Sequence, residues 1–153
     1  MANDEHLLTD IRLELQHWEL RPVYRVATDR HRLPGQPGWR EDMGLVAGRE
    51  NLGQAVVLRL LIPRGELTSL GHPTYGSRLH ELIGRQNTET TRNLVKLYIL
   101  ESLAAEPRIE KVESVSVKPT PGTRDRVDVM LVVKPVGASG PLTIGPFSLE
   151  LES

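Results

Sequence analysis

Glu106, Pro107 and Arg108 form the charged group with the strongest physical argument for a function. Pro107 fixes the backbone between the two opposite charges, directly after an apolar helical pattern, so a carboxylate and a guanidinium are held stiffly at one corner. Such a pair can present a bidentate fork to another protein. The alternative is internal: Arg108 caps the carbonyl end of the helix while Glu106 pairs with another arginine of the domain. The residues alone leave both interpretations open.

Side chains that could support catalysis or metal binding lack the spacing that this chemistry needs. His72 and His80 are eight positions apart, which does not place two ligands on adjacent helical turns, and no HExxH pattern occurs. Ser77 lies in Tyr-Gly-Ser-Arg-Leu rather than in a G-x-S-x-G nucleophile elbow, and a helix cap explains it more simply. We predict no catalytic residue, no metal site and no cofactor.

A lytic activity on cell wall has no support in the sequence. Hydrolysis of a sugar polymer would require two carboxylates about 5 to 9.5 Å apart in a cleft. With 20 acidic residues such pairs arise by chance, nothing sets one pair apart, and six aromatic side chains are few for a sugar-binding groove. We therefore expect a protein that is not an enzyme.

The length, composition and net charge limit the classes of partner that the protein is expected to bind. The 153 residues suit one domain, and no cysteine is present to form a disulfide or a thiolate site. A formal net charge of −1 gives no field that would attract nucleic acid or an anionic membrane. The N-terminus has no signal-peptide core, and no apolar run approaches the length of a membrane span. We expect synthesis in the cytoplasm and protein partners, with neither nucleic acid nor membrane among them.

Three segments have helical patterns. The first spans residues 51–61, with Asn51 as N-cap and Gln54 in the reciprocal position. In it Arg59 stands alone among apolar residues and is either a buried partner or exposed to solvent. A short second helix is predicted for residues 77–83, with Ser77 as N-cap. The third, residues 90–105, is apolar on nearly every side in its second half, which predicts burial.

After the corner the hydrophobic period changes from 3.6 to 2, which predicts strands at residues 112–118 and 126–134 and a last segment at 142–151. A Gly-Pro pair interrupts this last segment and confines it to a sheet edge or a bulge. A free edge can accept a strand from a partner, although an ordinary covered edge fits equally well. The side chains that define the candidate edge are Leu142, Ile144, Phe147, Leu149 and Leu151.

Residues 1–47 are predicted to be a strand-bearing arm and connector. Ile11, Leu13 and Leu15 alternate with charged residues, residues 23–27 suit a second strand, and the Pro- and Gly-rich residues 29–39 should be irregular. A disordered tail is the alternative. We predict an α+β fold with two parts: this arm, and a domain at 48–153 in which three helices pack with a C-terminal antiparallel β-hairpin sheet.

The order of several short motifs resembles the small wedge subunit of contractile-tail baseplates. This family includes the phage baseplate assembly protein W, the type VI secretion wedge subunit and the sheath initiators of extracellular contractile injection systems. The resemblance covers roughly two-thirds of the chain. The motifs are Glu50-Asn51-Leu52, Pro63-Arg64-Gly65-Glu66-Leu67, Tyr75-Gly76-Ser77-Arg78-Leu79 and Glu106-Pro107-Arg108.

The resemblance implies a structural baseplate part rather than an enzyme. The resemblance implies that Glu106-Pro107-Arg108 contacts the helical core bundle of the larger wedge subunits. It also implies that the C-terminal strands offer the first sheath ring a template by strand exchange. It also implies six copies around the tube, with tube or hub proteins as further candidate partners. The arm exceeds the shortest members and leaves its own role open, and it favours the injection-particle or long-tailed phage branches over type VI.

Two other classes remain as alternatives: a baseplate-associated cell-wall hydrolase, and a soluble anti-adaptor-like regulator with the same fold. A hydrolase would need a carboxylate cleft and would clear a peptidoglycan suspension. Neighbouring sheath, tube and spike genes would favour the baseplate.

Overall fold

The computed structural model describes residues 4–15, 24–138 and 140–152, and within them it contains two α-helices and nine β-strands. The helices are α1, Gly48–Leu61, and α2, Glu89–Leu103. The strands are β1 Thr9–Ile11, β2 Leu13–Leu15, β3 Tyr24–Val26, β4 Thr28–His31, β5 Arg40–Met43, β6 Leu45–Ala47, β7 Ile109–Pro119, β8 Arg126–Pro135 and β9 Leu142–Glu150. No helix in the described part of the chain is long and apolar enough to cross a membrane. The predicted α+β class is confirmed.

The prediction of three helices is wrong, because residues 77–83 form only a single 3₁₀ turn, Leu79–Leu82. Gly76 and Gly84 bracket this turn with positive φ angles of 106° and 85°, so too few residues lie between them to build an α-helical hydrogen-bond ladder. Leu79 and Leu82 are nevertheless buried, at 2% and 0% exposure. The segment is a packing element, as expected, but not a helix.

Helix α1 begins at Gly48, three residues before its predicted N-cap. Ala47 occupies the cap position and makes no side-chain cap hydrogen bond. Asn51 and Gln54 are buried inside the helix and donate to arm carbonyls more than 40 positions away. The predicted capping box is therefore wrong, since the local pattern cannot reveal an acceptor supplied by a distant strand.

Helix α2 agrees closely with the predicted 90–105, and Thr88 caps it by accepting the Thr91 amide at 3.2 Å. The expectation that its second half is buried on every side is wrong. Leu97 is 55% exposed and Leu100 is 42% exposed, because α2 packs against α1, the 3₁₀ turn and β7 with its other faces.

The C-terminal strands form an antiparallel sheet in the order β7-β8-β9. Its predicted buried face is confirmed: Val127, Val129, Leu131 and Val133 are 0% exposed. Strand β9 is an edge strand, and it also carries a bulge, since its residues 145 and 146 lie between the pairs Val129↔Phe147 and Leu131↔Ile144. The Gly-Pro pair thus has both of the predicted effects.

The arm is built from three extended segments that each pair with the other two. Strand β1 pairs with β6, β2 with β3, and β4 with β5, all antiparallel. The segments meet where Arg12 N donates to Gly44 O at 2.8 Å, Gly44 N to Ala27 O at 2.7 Å and Ala27 N to Arg12 O at 3.0 Å. Extended segments lie where the strands at 11–15 and 23–27 were predicted, but each is divided, the first at Arg12 and the second at Ala27, because the two halves pair with different partners. Residue 23 lies outside the described residues.

The Pro- and Gly-rich stretch 29–39 is less irregular than predicted. Its first residues belong to β4, which pairs with β5 to form a hairpin closed by residues 32–39. Proline and glycine occupy the turn, whereas the register is set by the paired ends. Both strands of this hairpin are exposed along their whole length.

Candidate functional site

The motifs that are separate in sequence meet in space where α1 and α2 end. Residues 63 and 77 form a parallel bridge, in which Ser77 N donates to Ile62 O and Arg64 N donates to Ser77 O, each at 2.9 Å. Ser102 of α2 donates its hydroxyl to Gly76 O at 2.9 Å. The Tyr-Gly-Ser-Arg-Leu segment is therefore clamped between the two helices.

Gly76 makes this close approach feasible. With φ at 106°, a Cβ placed on it would lie 2.3 Å from the backbone oxygen of Ile62, so no other residue fits without a backbone shift. Ser77 is 1% exposed, donates its hydroxyl to Leu60 O at 2.6 Å and accepts the Leu79 amide at 3.3 Å. Its predicted capping role is thus confined to one weak contact, and its stronger bond satisfies a carbonyl at the end of α1.

Glu106 is the buried centre of the charged corner, at 5% exposure. Arg108 donates to it three times: through Nε at 2.7 Å, through Nη2 at 3.2 Å and through its backbone amide at 3.2 Å. Arg59 adds one contact, from Nη2 at 3.3 Å. The internal alternative is thus half realised, because Glu106 pairs with Arg59, which is largely buried. In the described part of the chain, the side-chain bonds of Arg108 go to Glu106 and Leu7 O and not to a carbonyl of α2. Pro107 lies between Glu106 and Arg108 and restricts the backbone that carries both side chains.

The electrostatics of this corner keep Glu106 ionised. Burial alone would raise the pKa of Glu106, but the hydrogen bonds from the Arg108 side chain and backbone, with the charges of Arg108 and Arg59, outweigh burial and lower it. The hydrogen bond to Glu106 in turn raises the pKa of Arg108, against a smaller effect of burial. The corner is a fixed ion pair across neutral pH.

Arg59 is held by an aromatic ring as well as by charge. Its guanidinium carbon lies 4.5 Å from the centroid of Tyr75, a cation–π distance. Its Nε is buried and has no hydrogen-bond acceptor. Arg108 donates to Leu7 O at 3.4 Å, so the N-terminal segment also contacts this corner.

A second ion-pair network flanks the corner and is more exposed. Arg64 pairs with Glu101 of α2, and Arg78 lies 3.8 Å from the same carboxylate. Arg78 also pairs with Glu81 at 2.9 Å and stacks over Tyr98 at 4.4 Å. Exposed pairs of this kind contribute little to stability, so the network mainly sets the charge pattern of the surface.

A hollow of about 430 Å³ opens beside the charged corner. One wall is Arg59, Glu106, Pro107 and Arg108, and the arm supplies the facing wall. The arm residues that line the hollow are Leu8, Thr9 and Asp10, and Asn51 of α1 lines it as well. The hollow can therefore receive a side chain from another protein. Within the described residues no cluster of three or more His, Asp or Glu side chains could hold a metal ion.

The residues proposed for a sheath interface are placed mostly inside the protein. Ile144, Phe147, Leu149 and Leu151 are between 2% and 6% exposed and belong to the core, and Leu142 packs against it. Instead β9 exposes Thr143, Pro146 and Glu150, and its outer side is unpaired in the described sheet. The two predicted sets of site residues thus form two separate features, the corner and the edge strand.

A groove of about 590 Å³ runs between the start of β9, helix α1 and the arm. Gly53 and Val57 line its α1 side, Arg12 and Leu13 its arm side, and residues 142–147 its β9 side. Arg49 closes one end by donating to Gly140 O at 2.8 Å and to Pro141 O. An extended segment could lie in this groove.

No local sequence pattern indicates which residues anchor the arm to the domain. Leu7 is 0% exposed within the domain core, and Asn51 donates to its carbonyl at 3.0 Å. Gln54 donates to Ile11 O at 2.8 Å and accepts the Leu13 amide at 2.9 Å. The only signal was the presence of two amide side chains on an apolar helix face, which more simply suggested a cap.

The described residues form a small α+β module whose charged corner and edge strand lie apart from each other. The family of contractile injection system sheath initiators matches residues 24–131, from β3 of the arm to β8 of the sheet. The chain belongs to this family and is a structural component of the baseplate of a contractile injection system. The resemblance inferred from the sequence is confirmed.

A solved structure from Geobacter sulfurreducens, provisionally named a tail lysozyme, has a similar fold. The two chains are 22% identical with a TM-score of 0.58, and the match covers 73% of this chain and 98% of that one. At this identity the likeness concerns the fold alone. No curated protein matches the sequence.

Proposed function

We propose that the protein joins the wedge core of the baseplate to the first ring of the sheath and starts sheath assembly by strand exchange. Membership of the sheath initiator family supports the general role, and the single observation that carries the mechanism is that β9, in the described part of the chain, lies at the edge of the sheet and pairs with β8 alone. An edge strand can pair with an added strand, and backbone pairing fixes the register of what is added.

The sheath contact can be tested at Ser148 in β9, which pairs with Asp128 and donates its hydroxyl to that carboxylate at 2.9 Å. Ser148→Pro removes a backbone donor and interrupts the strand, whereas Ser148→Ala removes only the hydroxyl. We expect baseplates with Ser148→Pro to assemble but not to start sheath, or sheath to polymerise away from them. Ser148→Ala should behave as wild type.

Electron micrographs of mutant particles provide the measurement. Normal-length extended sheaths seated on baseplates that carry a folded Ser148→Pro subunit would show that this edge is not the template. The melting temperature of the isolated variant establishes that it is folded. If it is not folded, we expect the groove variant Gly53→Phe, which leaves β9 intact, to reduce sheath initiation by obstructing the adjacent space.

Glu106, Pro107 and Arg108 are proposed to bind the helical core bundle of the larger wedge subunits. The burial of Glu106 assigns it to holding Arg108, whose side chain is 20% exposed beside an open hollow. Arg108→Ala should therefore weaken co-purification with the larger subunits, by about 2 to 5 kcal/mol for a desolvated interfacial charge. Arg85→Ala, at an exposed arginine, is the control. Unchanged co-purification with Arg108→Ala would contradict this assignment.

Six copies around the tube, contacts with tube or hub proteins, and the division into an arm at 1–47 and a wedge domain at 48–153 belong to the same proposal. The arm supplies one wall of the hollow, which supports a role for it at the wedge contact. Synthesis in the cytoplasm precedes assembly into the particle.

We propose no enzymatic activity. The buried carboxylate of Glu106 is held ionised by two arginines, which is the opposite of what a general acid requires. Purified protein should not clear a peptidoglycan suspension. Clearing that disappears when a single carboxylate is changed to its amide would support a baseplate hydrolase instead.

A further inference from the structure

Two arginines share one carboxylate at the charged corner, and they share it unequally. Arg108 makes three hydrogen bonds to Glu106, the shortest at 2.7 Å, whereas Arg59 makes one at 3.3 Å. An ionised carboxylate has about four acceptor positions, of which Arg108 occupies three and Arg59 the remaining one. Glu106 therefore has no acceptor position left.

Arg59 keeps one buried donor, its Nε–H, without an acceptor among the described residues. Its side chain is 11% exposed, and its Nε is buried without a hydrogen-bond partner. A buried polar group left unpaired costs free energy that a suitable acceptor would recover. The Tyr75 ring at 4.5 Å holds the guanidinium in one plane, so little side-chain freedom remains to be lost on binding.

The hollow beside Arg59 is the route by which an acceptor could arrive. Arg59, Arg108 and Pro107 line it together with arm residues 8–10. The hollow is lined by two guanidiniums and two carboxylates. The Asp10 carboxylate, however, is exposed and its charge is screened by solvent, so an anionic acceptor still suits the largely buried Arg59. Asp10, on the rim, is exposed, and its carboxylate accepts the Ile11 amide at 2.7 Å.

We propose that Arg59 is a partner-binding residue and that the hollow receives a carboxylate side chain from a larger wedge subunit. On binding, the Arg59 Nε–H donates to the incoming oxygen, while Nη2 keeps its contact with Glu106 and Arg108 keeps Glu106 in place. This inference rests on the proposed wedge contact and adds to it the residue and the chemistry of the partner.

Sodium acetate tests the site without any wedge subunit. In the full-length protein, the Arg59 Nε–H resonance is followed while acetate replaces chloride at constant ionic strength. We expect a saturable shift for Arg59. Arg64 is the internal reference, since its Nε is also buried without an acceptor although its guanidinium already pairs with Glu101. Equal responses of Arg59 and Arg64, or none at Arg59, would overturn the inference.

Two variants sharpen the acetate experiment. Asp10→Asn removes a negative charge from the rim and should tighten acetate binding about two- to threefold, because a like charge near the site opposes an anion. Arg59→Lys keeps the charge but has no Nε or planar fork, and should abolish the saturable shift monitored at neighbouring amides. An unchanged response in Arg59→Lys would overturn the inference.

Co-purification with the larger wedge subunits separates this inference from the wedge contact itself. Arg59→Lys should lower capture at least tenfold, with Arg85→Lys as control. If Arg108→Ala lowers capture while Arg59→Lys does not and acetate does not bind, the wedge contact stands and the role of Arg59 is overturned. If acetate binds at Arg59 but neither substitution changes capture, the carboxylate site stands and the wedge contact at this corner fails.

Discussion

The arm and the helix-sheet domain are stabilised in different ways. In the domain, α1, α2, the 3₁₀ turn and the sheet share one continuous apolar core with residues such as Leu52, Ile99 and Leu131 at 0% exposure. In the arm, most strand residues are exposed, and Leu7 is its one fully buried side chain among those described. A two-stranded hairpin such as β4 and β5 is marginal in water by itself.

What fixes the arm is a small number of specific bonds. Three backbone hydrogen bonds close the junction of Arg12, Ala27 and Gly44, and two amide side chains of α1 attach the arm to the domain. Gly44 is needed at the junction, where an added Cβ would lie 3.2 Å from Ala27 O. The arm therefore depends on the domain for its position, whereas the domain is stabilised mainly by its own apolar core.

The largest effect should come from substitution of Gly76. We expect it to unfold the domain and, because the domain positions the arm, to release the arm as well. Gly76→Ala combines an unfavourable φ of 106° with a Cβ 2.3 Å from Ile62 O, and should cost about 4 kcal/mol or more of the free energy of unfolding. The matched control is Gly53→Ala in α1, where a Cβ meets nothing within 4 Å and a gain of about 0.5 to 1 kcal/mol is expected. Urea unfolding measures both, and a neutral Gly76→Ala would contradict the clamp.

Leu7→Ala should separate the two regions. Truncating a fully buried leucine costs about 2 to 5 kcal/mol, and here we expect the loss to appear as opening of the arm rather than unfolding of the domain. Amide exchange should accelerate in β1 and β6 and stay slow in β8. Leu45→Ala, at a 58% exposed leucine of β6, should change little. Equal acceleration in β8 would mean that arm and domain unfold as one unit.

The sequence predicts the regions where local pattern and tertiary environment agree. Strand β8 alternates because one face of the sheet is buried, and α2 carries Thr88 at its start and a proline beyond its end. The Gly-Pro pair at 145 and 146 restricts β9 to an edge because proline lacks a donor. In each case the signal lies within about ten residues of the element that it determines.

The sequence fails where a side chain is used by a distant segment. Asn51 and Gln54 satisfy a capping pattern, yet they bind arm carbonyls, and Ser77 satisfies a cap position, yet its hydroxyl binds Leu60 O. For Glu106 the sequence offers an arginine partner and for Arg59 a buried contact as alternatives, but it cannot choose between them and their rivals, because the two residues are 47 positions apart. No local sequence pattern indicates the hollow or the arm residues that line it.

Glu106→Gln tests, through the pH dependence of stability, the ion pair at the corner where the domain meets the arm. Removing one partner of a buried ion pair should cost about 3 kcal/mol at pH 7. The pKa of Glu106 is lowered by folding, so the stabilisation is fully present above its ordinary value of 4.5 and is lost as the pH falls through the folded value. The difference between wild type and variant should therefore shrink below about pH 4.5. Urea titrations at several pH values measure it, and a constant difference would contradict the ion pair.

The smallest effect should be the most local. Gln54→Ala removes the donor to Ile11 O and the acceptor of the Leu13 amide, at 2.8 and 2.9 Å, and should cost about 1 to 2 kcal/mol. Because the domain core does not depend on this residue, exchange of the Leu13 amide should accelerate while unfolding of α2 stays near wild type. Asn93→Ala, at an exposed position of α2, is the control. An unchanged Leu13 amide would mean that Gln54 does not hold this strand and that the junction at Arg12 and the pairing with β3 suffice.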